Sequence, residues 1–230
     1  MTIKAIKLKD PATPQKGKLY EVEFRETPCL IPVEEKHEDG SLDQVVLDYH
    51  MEEGETGYFS KEYLPDNMSR DGAKRIDITA VMLNHQKRYV RWHLYDIKRT
   101  LAGENTVVTL SDQWNAGLGY LQQTVLNQIP EYLVTPDLGV ITSNYDEERM
   151  KRLRDRAGKD CEEAGNSRQN LTLPQRKKRV DIAKYRAIFQ ASQAILDRKF
   201  QTEDGRNTYE IHIRIMNHEK GQPYQLNFPV

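Results

Sequence analysis

The sequence predicts an α/β protein in which helices pack around a sheet. Three observations carry that expectation. The segments RIDITAVML (75–83) and YVRWHLYDIK (89–98) are rich in β-branched and aromatic residues and flank the polar turn NHQKR, the spacing of a hairpin. Trp114, Leu118, Leu121 and Val125 recur at i, i+4, i+7 and i+11, a helical stripe. In TYEIHIRIM (208–216), Tyr209, Ile211, Ile213 and Ile215 alternate with Glu210, His212 and Arg214, as a half-buried strand requires.

Taken in order, KLYEVEF (18–24) and CLIPVE (29–34) read as short strands of an N-terminal β segment. From Ser41, SLDQVVLDYHMEEGE spaces Val45, Val46, Tyr49 and Glu53 in a near-helical pattern, with Ser41 or Asp43 as N-cap and Gly54 as stop, so a helix is expected. Residues 54–74, rich in Gly, Asp, Asn, Ser and Pro, read as a long surface loop. The 75–98 hairpin follows, then a short VVTL and a helix capped by Ser111 and ended by Pro130. LGVITSN (138–144) reads as a strand and DEERMKRLRDRAGK as a charged helix. Residues 159–175 read as loop. A second long helix runs from Arg176 to Phe200 with Ile182, Ala183, Ile188, Ala191, Ile195 and Leu196 on its apolar side, before the closing strand.

A chain of 230 residues with 37% hydrophobic and 30% charged positions has the make-up of a globular protein, which excludes collagen, low-complexity and membrane classes. We read one domain over 1–230, with a core at 43–144 and a basic helix and strand extension at 145–230. A net charge of −1 argues against a protein that coats nucleic acid or anionic lipid with its whole surface. Cys29 and Cys161 stand far apart, without metal-ligand spacing, so neither a disulfide framework nor a structural zinc site is expected. The N-terminal segment lacks a signal-peptide core and no run of about 18 apolar residues occurs, so a cytoplasmic location without membrane association is expected.

The candidate chemistry lies on the hairpin. Asp77 sits near the start of its first strand and Asp96 and Lys98 near the end of its second, so antiparallel pairing brings them to one end of the sheet. With a period of two, Asp96 and Lys98 point to one face about 7 Å apart, extending the row of Val90, Trp92 and Leu94. A register that aligns Asp77 with Asp96 converges two carboxylates on one point, which suits a hard divalent cation such as Mg²⁺.

This arrangement resembles the PD-(D/E)XK nuclease superfamily over roughly residues 43–144. The first acidic position is Asp77 in RIDITAV, preceded by Ile76 where Pro is the pattern, and the (D/E)XK is Asp96-Ile97-Lys98. Glu34-Glu35-Lys36 and Asp197-Arg198-Lys199 also match the bare triplet, but neither ends an apolar strand preceding a helix. The resemblance implies a restriction-endonuclease-like mixed sheet flanked by helices. It implies Mg²⁺ (or Mn²⁺) on Asp77 and Asp96, with Lys98 helping to activate the water that attacks a phosphodiester. The following helix offers Gln113, Trp114, Tyr120 and Gln122 where members carry a substrate-contacting or lysine-orienting residue; we assign Gln113. For the acid that members take from an upstream helix, Glu52, Glu53 and Glu55 are candidates, and Glu53, on the Val46 and Tyr49 side of the expected helix, is chosen. The implied substrate is DNA rather than RNA, and the implied setting is restriction or antiviral defence beside a helicase or ATPase partner, commonly as a homodimer.

Residues 151–199 hold fourteen Lys and Arg against six Asp and Glu, a net charge of about +8. Lys151, Arg152, Arg176, Lys177, Lys178 and Arg179 are candidate phosphate-binding residues, and a solvated helix face is the competing reading. Tyr185 and Phe189 are expected in the core. The six histidines show no metal-ligand spacing, and neither a nucleophile elbow nor a phosphate-binding glycine loop is present. The rival function is a non-catalytic DNA- or protein-binding subunit in which Asp77, Asp96 and Lys98 are a structural ion pair. An RNA-binding module would need exposed aromatics on a sheet face, for which Tyr209 is the one hint.

Overall fold

The computed structural model describes residues 22–24, 29–36, 42–63, 76–120, 131–166, 175–202, 204–216 and 224–228. The strongest sequence signal forms the centre of the molecule. Strands β5 (Ile76–Asn84) and β6 (Tyr89–Thr100) pair antiparallel with Ile78 opposite Tyr95 and Leu83 opposite Val90. Their turn closes through a hydrogen bond from Lys87 N to Asn84 Oδ1, and Arg88 takes a φ of 51°. Ahead of them, β1 (Val22–Phe24) pairs with β4 (Glu55–Tyr63) and β4 with β5, all antiparallel.

Beyond β6 the pairing becomes parallel, which requires a crossover. The crossover to β7 (Leu133–Asn144) contains α1 (Glu104–Tyr120), and the one to β9 (Thr208–Ile215) contains α2 (Glu147–Asn166), α3 (Gln175–Asp197) and the short β8 (Lys199–Gln201). The result is a mixed seven-stranded sheet in the order β1-β4-β5-β6-β7-β9-β8. A second sheet, ordered β10-β3-β2, consists of β2 (Cys29–Lys36), β3 (Leu42–Tyr49) and β10 (Tyr224–Phe228).

Strand alternation splits the core into two. Val90, Trp92 and Leu94 of β6 and Leu138 and Val140 of β7 pack against Val107, Leu110, Trp114 and Leu118 of α1, with Met150, Leu153, Ile188 and Ile195 from the other helices. The alternate residues Tyr95, Ile97 and Ile141 face Ile31, Val33, Val45, Leu47 and Tyr49 of the small sheet. The large sheet therefore has helices on one face and a small sheet on the other. The expectation of an α/β protein with a mixed sheet flanked by helices is met.

Several local expectations are corrected. The segment expected to be a helix from Ser41 is strand β3, because Val45 and Tyr49, four apart, satisfy a period of two as well as 3.6; Val45, Leu47 and Tyr49 point inward opposite Val33, Ile31 and Cys29. The expected loop at 54–74 starts with β4, after a turn in which Gly54 adopts a φ of 81°. Helix α1 begins at Glu104, not Ser111: VVTL forms its first turns, with Val107 N bonded to Gly103 O. Strand β7 starts five residues before 138, and α2 continues to Asn166 through part of the expected loop. The expected helix to Phe200 ends at Asp197, where Arg198 turns the chain with a φ of 55° into β8. Ile215 is 45% exposed and Phe189 37%, so neither is the core residue expected, whereas Tyr185 packs against the core. The expected structures at 18–21, 64–74, 121–129 and 167–174 lie outside the described residues.

Candidate functional site

The hairpin register, continued one step past Ile78 and Tyr95, sets Asp77 beside Asp96. Asp77 Oδ2 accepts a hydrogen bond from Ile97 N at 2.8 Å, which fixes the carboxylate against β6. Alternation turns Asp96 and Lys98 to the helix face of β6, where α1 passes over the strand. Gln113, one residue before the buried Trp114, donates from Nε2 to Asp96 Oδ1 at 3.1 Å. The Lys98 ammonium lies 2.5 Å from Asp96 Oδ2 and 3.7 Å from Asp77 Oδ2. Four residues selected from the sequence thus meet at one place.

The electrostatics of this cluster are strained. Asp96 has no exposed surface, and burial, followed by its hydrogen bond with Asp77 and the charge there, pushes its pKa well above the usual carboxylate range despite Lys98. Burial pulls Lys98 down, but the charges of Asp96 and Asp77 outweigh it and raise the pKa of the ammonium, with Glu35 of β2 adding to the effect. The raised pKa favours a proton shared by the two carboxyl groups, with Lys98 balancing the charge that remains, so a hard cation bound there would take the place of that proton. The lysine side chain is 21% exposed and that of Asp77 12%, so the cluster reaches solvent on their side.

The other predicted residues do not join it. Glu53 lies in the turn between β3 and β4, where its carbonyl accepts from Asn84 Nδ2 at the far end of β5, so it cannot complete the carboxylate set. The reason is the missing helix: a strand followed by a turn points Glu53 away from the start of β5. Lys151 is engaged by Glu147 at 3.0 Å and Glu148 at 2.8 Å, and Arg156 and Lys184 both reach Glu104. Much of the basic stretch is thus a salt-laced helix surface, with Arg152 exposed on α2. The side chains of Arg176, Lys177, Lys178 and Arg179, like those of Tyr120 and Gln122, fall outside the described residues. Among the described residues, no three His, Cys, Asp or Glu side chains already close on one point. A cavity of about 630 Å³ lies between α1, α3 and the β8–β9 hairpin, lined by Ser111, Asn115, Gln190 and Gln201 among others but not by Gln113.

A second polar cluster was missed. His93, Asp137 and His212, together with Tyr95, gather on the opposite face of the large sheet. No sequence spacing shows this, because the three strands that carry them become neighbours only through the parallel crossovers. The tight approach of Tyr95 to Gly139 is part of the same arrangement: a Cβ on Gly139 would stand 2.0 Å from Tyr95 Cε1.

The fold and site thus define an α/β protein with a buried acidic pair and a lysine at one end of a mixed sheet. No family model matches the chain, and neither the curated proteins nor the solved structures yield a match. No helix of the described residues is long and apolar enough to cross a membrane.

Proposed function

We propose that the protein is a metal-dependent nuclease with a restriction-endonuclease-like core, hydrolysing phosphodiester bonds of DNA. The observation that carries this reading is the meeting of Asp77, Asp96, Lys98 and Gln113 where an antiparallel β4-β5-β6 unit passes through α1 into parallel β7. Asp77 and Asp96 would hold Mg²⁺ or Mn²⁺, which supplies Lewis-acid stabilisation and a more acidic water when bound. Lys98 stands beside both carboxylates, placed to orient the attacking water and to stabilise charge developing on the phosphate. Gln113 fixes Asp96 Oδ1, and the cation would share Oδ2 with the Lys98 ammonium 2.5 Å from it. A role in defence, a helicase or ATPase partner and a homodimer belong to the resemblance and form part of the same proposal.

The rival, a non-catalytic subunit, draws on one observation: the Lys98 ammonium already covers Asp96, a side chain with no exposed surface. Incubation of supercoiled and linear DNA with the purified chain and Mg²⁺ or Mn²⁺ separates the two. Metal-dependent nicking that disappears in both Asp96→Asn and Lys98→Ala is the expected result. Nicking that persists in both variants places the chemistry elsewhere, and a silent wild type that binds no metal by calorimetry favours the subunit.

A further inference from the structure

His93 lies where the two sheets meet. It points from β6 to the small-sheet face, with Ala80 of β5 opposite it and Asp137 of β7 beside it. Phe228 of β10 stands edge-on to the imidazole with ring centroids 4.5 Å apart, and Tyr49 of β3 meets it at 5.7 Å. Enclosed by these rings, His93 is 6% exposed. Its Nδ1 faces Asp137 Oδ2 at 3.1 Å, the place for the single proton of the neutral ring, whereas Nε2 is buried and meets no hydrogen-bond partner. A second proton would go to Nε2, where no acceptor waits. An N–H formed there is a buried donor without a partner, so it must reach water.

The groups around the ring do not remove this cost. Asp137, which favours the proton, is shared with His212 Nε2 at 3.3 Å and with the Tyr95 hydroxyl at 3.0 Å, and Arg214 of β9 also reaches that hydroxyl. Arg91 of β6 and Glu55 of β4 act on His93 in opposite senses and are paired with each other at 2.8 Å. Tyr49, Tyr95 and the Cys29 thiol of β2 stay neutral, each pushed up first by burial. From β10 comes Phe228, without charge. Burial therefore prevails over Asp137 and pulls the His93 pKa below its ordinary value.

We propose that β10 is an acid-released strap: protonation of His93 frees Phe228 and β10 from the large sheet and uncovers the face that carries Asp137 and His212. The strap is short, five residues, and among the described residues it pairs with β3 alone. His50 N donates to Phe228 O at 3.1 Å and Gln225 Nε2 to Asp48 Oδ2 at 2.9 Å, while Leu226 and Phe228 are buried in the core between the sheets. Once released, His93 titrates near about 6.5; docked, it titrates lower. Docking is thus fully favoured above the released value and is lost as pH falls through the docked one. The strap lies on the face opposite Asp96 and does not depend on the cleavage proposed above.

Hydrogen–deuterium exchange of the full chain, read by mass spectrometry and corrected for intrinsic exchange rates, compares residues 224–228 with the β5–β6 hairpin at pH 7.5 and pH 5. In the wild type, protection of 224–228 falls several-fold at pH 5, within the limit of about tenfold per pH unit that one proton allows, while β5–β6 keeps its protection. His93→Phe, which fills the same enclosure and cannot titrate, abolishes that fall. Phe228→Ala loses protection of 224–228 already at pH 7.5. Equal protection of 224–228 at both pH values in the wild type overturns the proposal, as does an undiminished fall in His93→Phe. Full protection of 224–228 in Phe228→Ala, or a parallel loss in β5–β6 that marks global unfolding, overturns it as well.

Discussion

Replacing Asp96 by Asn should make the protein more stable at neutral pH while abolishing cleavage. Asp96 is fully buried beside Asp77, and both burial and that neighbour oppose its charge, with Lys98 at 2.5 Å recovering only part of the loss. The folded-state pKa thus lies above the unfolded value of about 3.9. The sign follows from linkage: the stability this group contributes is fully present below the unfolded pKa and is lost as pH rises through the folded pKa. Asparagine mimics the protonated acid at every pH. Its Oδ1 still accepts from Gln113 and its Nδ2 can donate to Asp77, while Lys98 loses the Oδ2 acceptor at 2.5 Å but is a fifth exposed and turns to water and to Asp77 at 3.7 Å. No buried charge is stranded, so the exchange should stabilise by about 1–2 kcal/mol at pH 8. Urea unfolding at pH 4, 6 and 8 would read this as a midpoint raised by about 0.5 M at pH 8 and converging on the wild type toward pH 4. An Asp96→Asn variant less stable than wild type by more than about 1 kcal/mol at every pH refutes the reasoning. The Lys98 pair would then be a net structural bond, as the subunit reading holds.

Gly139→Ala places a methyl group 2.0 Å from a ring carbon of Tyr95, so the ring must leave and Asp137 loses its hydroxyl partner; a loss of about 3 kcal/mol is expected, and an unchanged melting temperature would contradict it. Glu55→Gln leaves Arg91 without the carboxylate it contacts at 2.8 Å through a side chain with no exposure, and removes the charge that accepts from Glu52 N. Denaturant unfolding should show about 3 kcal/mol lost, and a loss below about 1 kcal/mol would mean that Arg91 finds compensation in its bond to the His50 carbonyl. If DNA lies along α2, Arg152→Ala should lower the salt slope of binding by about one unit. Lys151→Ala, whose ammonium is held by Glu147 and Glu148, should leave it unchanged; equal slopes for wild type and both variants would remove α2 from the interface.

What was legible in the sequence was what neighbouring residues decide. The β5–β6 hairpin could be read from β-branched runs around a five-residue polar turn, and with it the approach of Asp77, Asp96 and Lys98, because hairpin register is local. Gln113 was reachable because α1 follows β6 directly. Strand β3 was misread because Val45 and Tyr49 fit both periods, and only the partner strand β2 with Val33, Ile31 and Cys29 decides between them. That error carried Glu53 with it, since its nomination rested on a helix. The basic stretch was counted correctly as charge, but pairing with Glu104, Glu147 and Glu148 depends on how three helices meet. His93, Asp137 and His212 were invisible for the same reason, being 44 and 75 residues apart along the chain.

The two polar clusters share one strand, and this makes the register of β6 the decisive quantity. Even-numbered residues from Val90 to Lys98 face the helices and place Asp96 and Lys98 over Gln113, while His93 and Tyr95 face the small sheet and Asp137. A slip of one residue against β5 would exchange the faces, moving the carboxylate of Asp96 toward Tyr49 and Phe228 and the indole of Trp92 out of the helix-side core. Burial of Trp92 and Leu94 on one side and Tyr95 and Ile97 on the other opposes that slip from both faces at once. The turn between Asn84 and Tyr89 sets the same register from the end, through Lys87 N on Asn84 Oδ1 and the left-handed Arg88. The side chains with no chemistry are thus what hold Asp96 against Asp77 and His93 against Asp137. Loosening that turn should disturb both clusters together, although it touches neither.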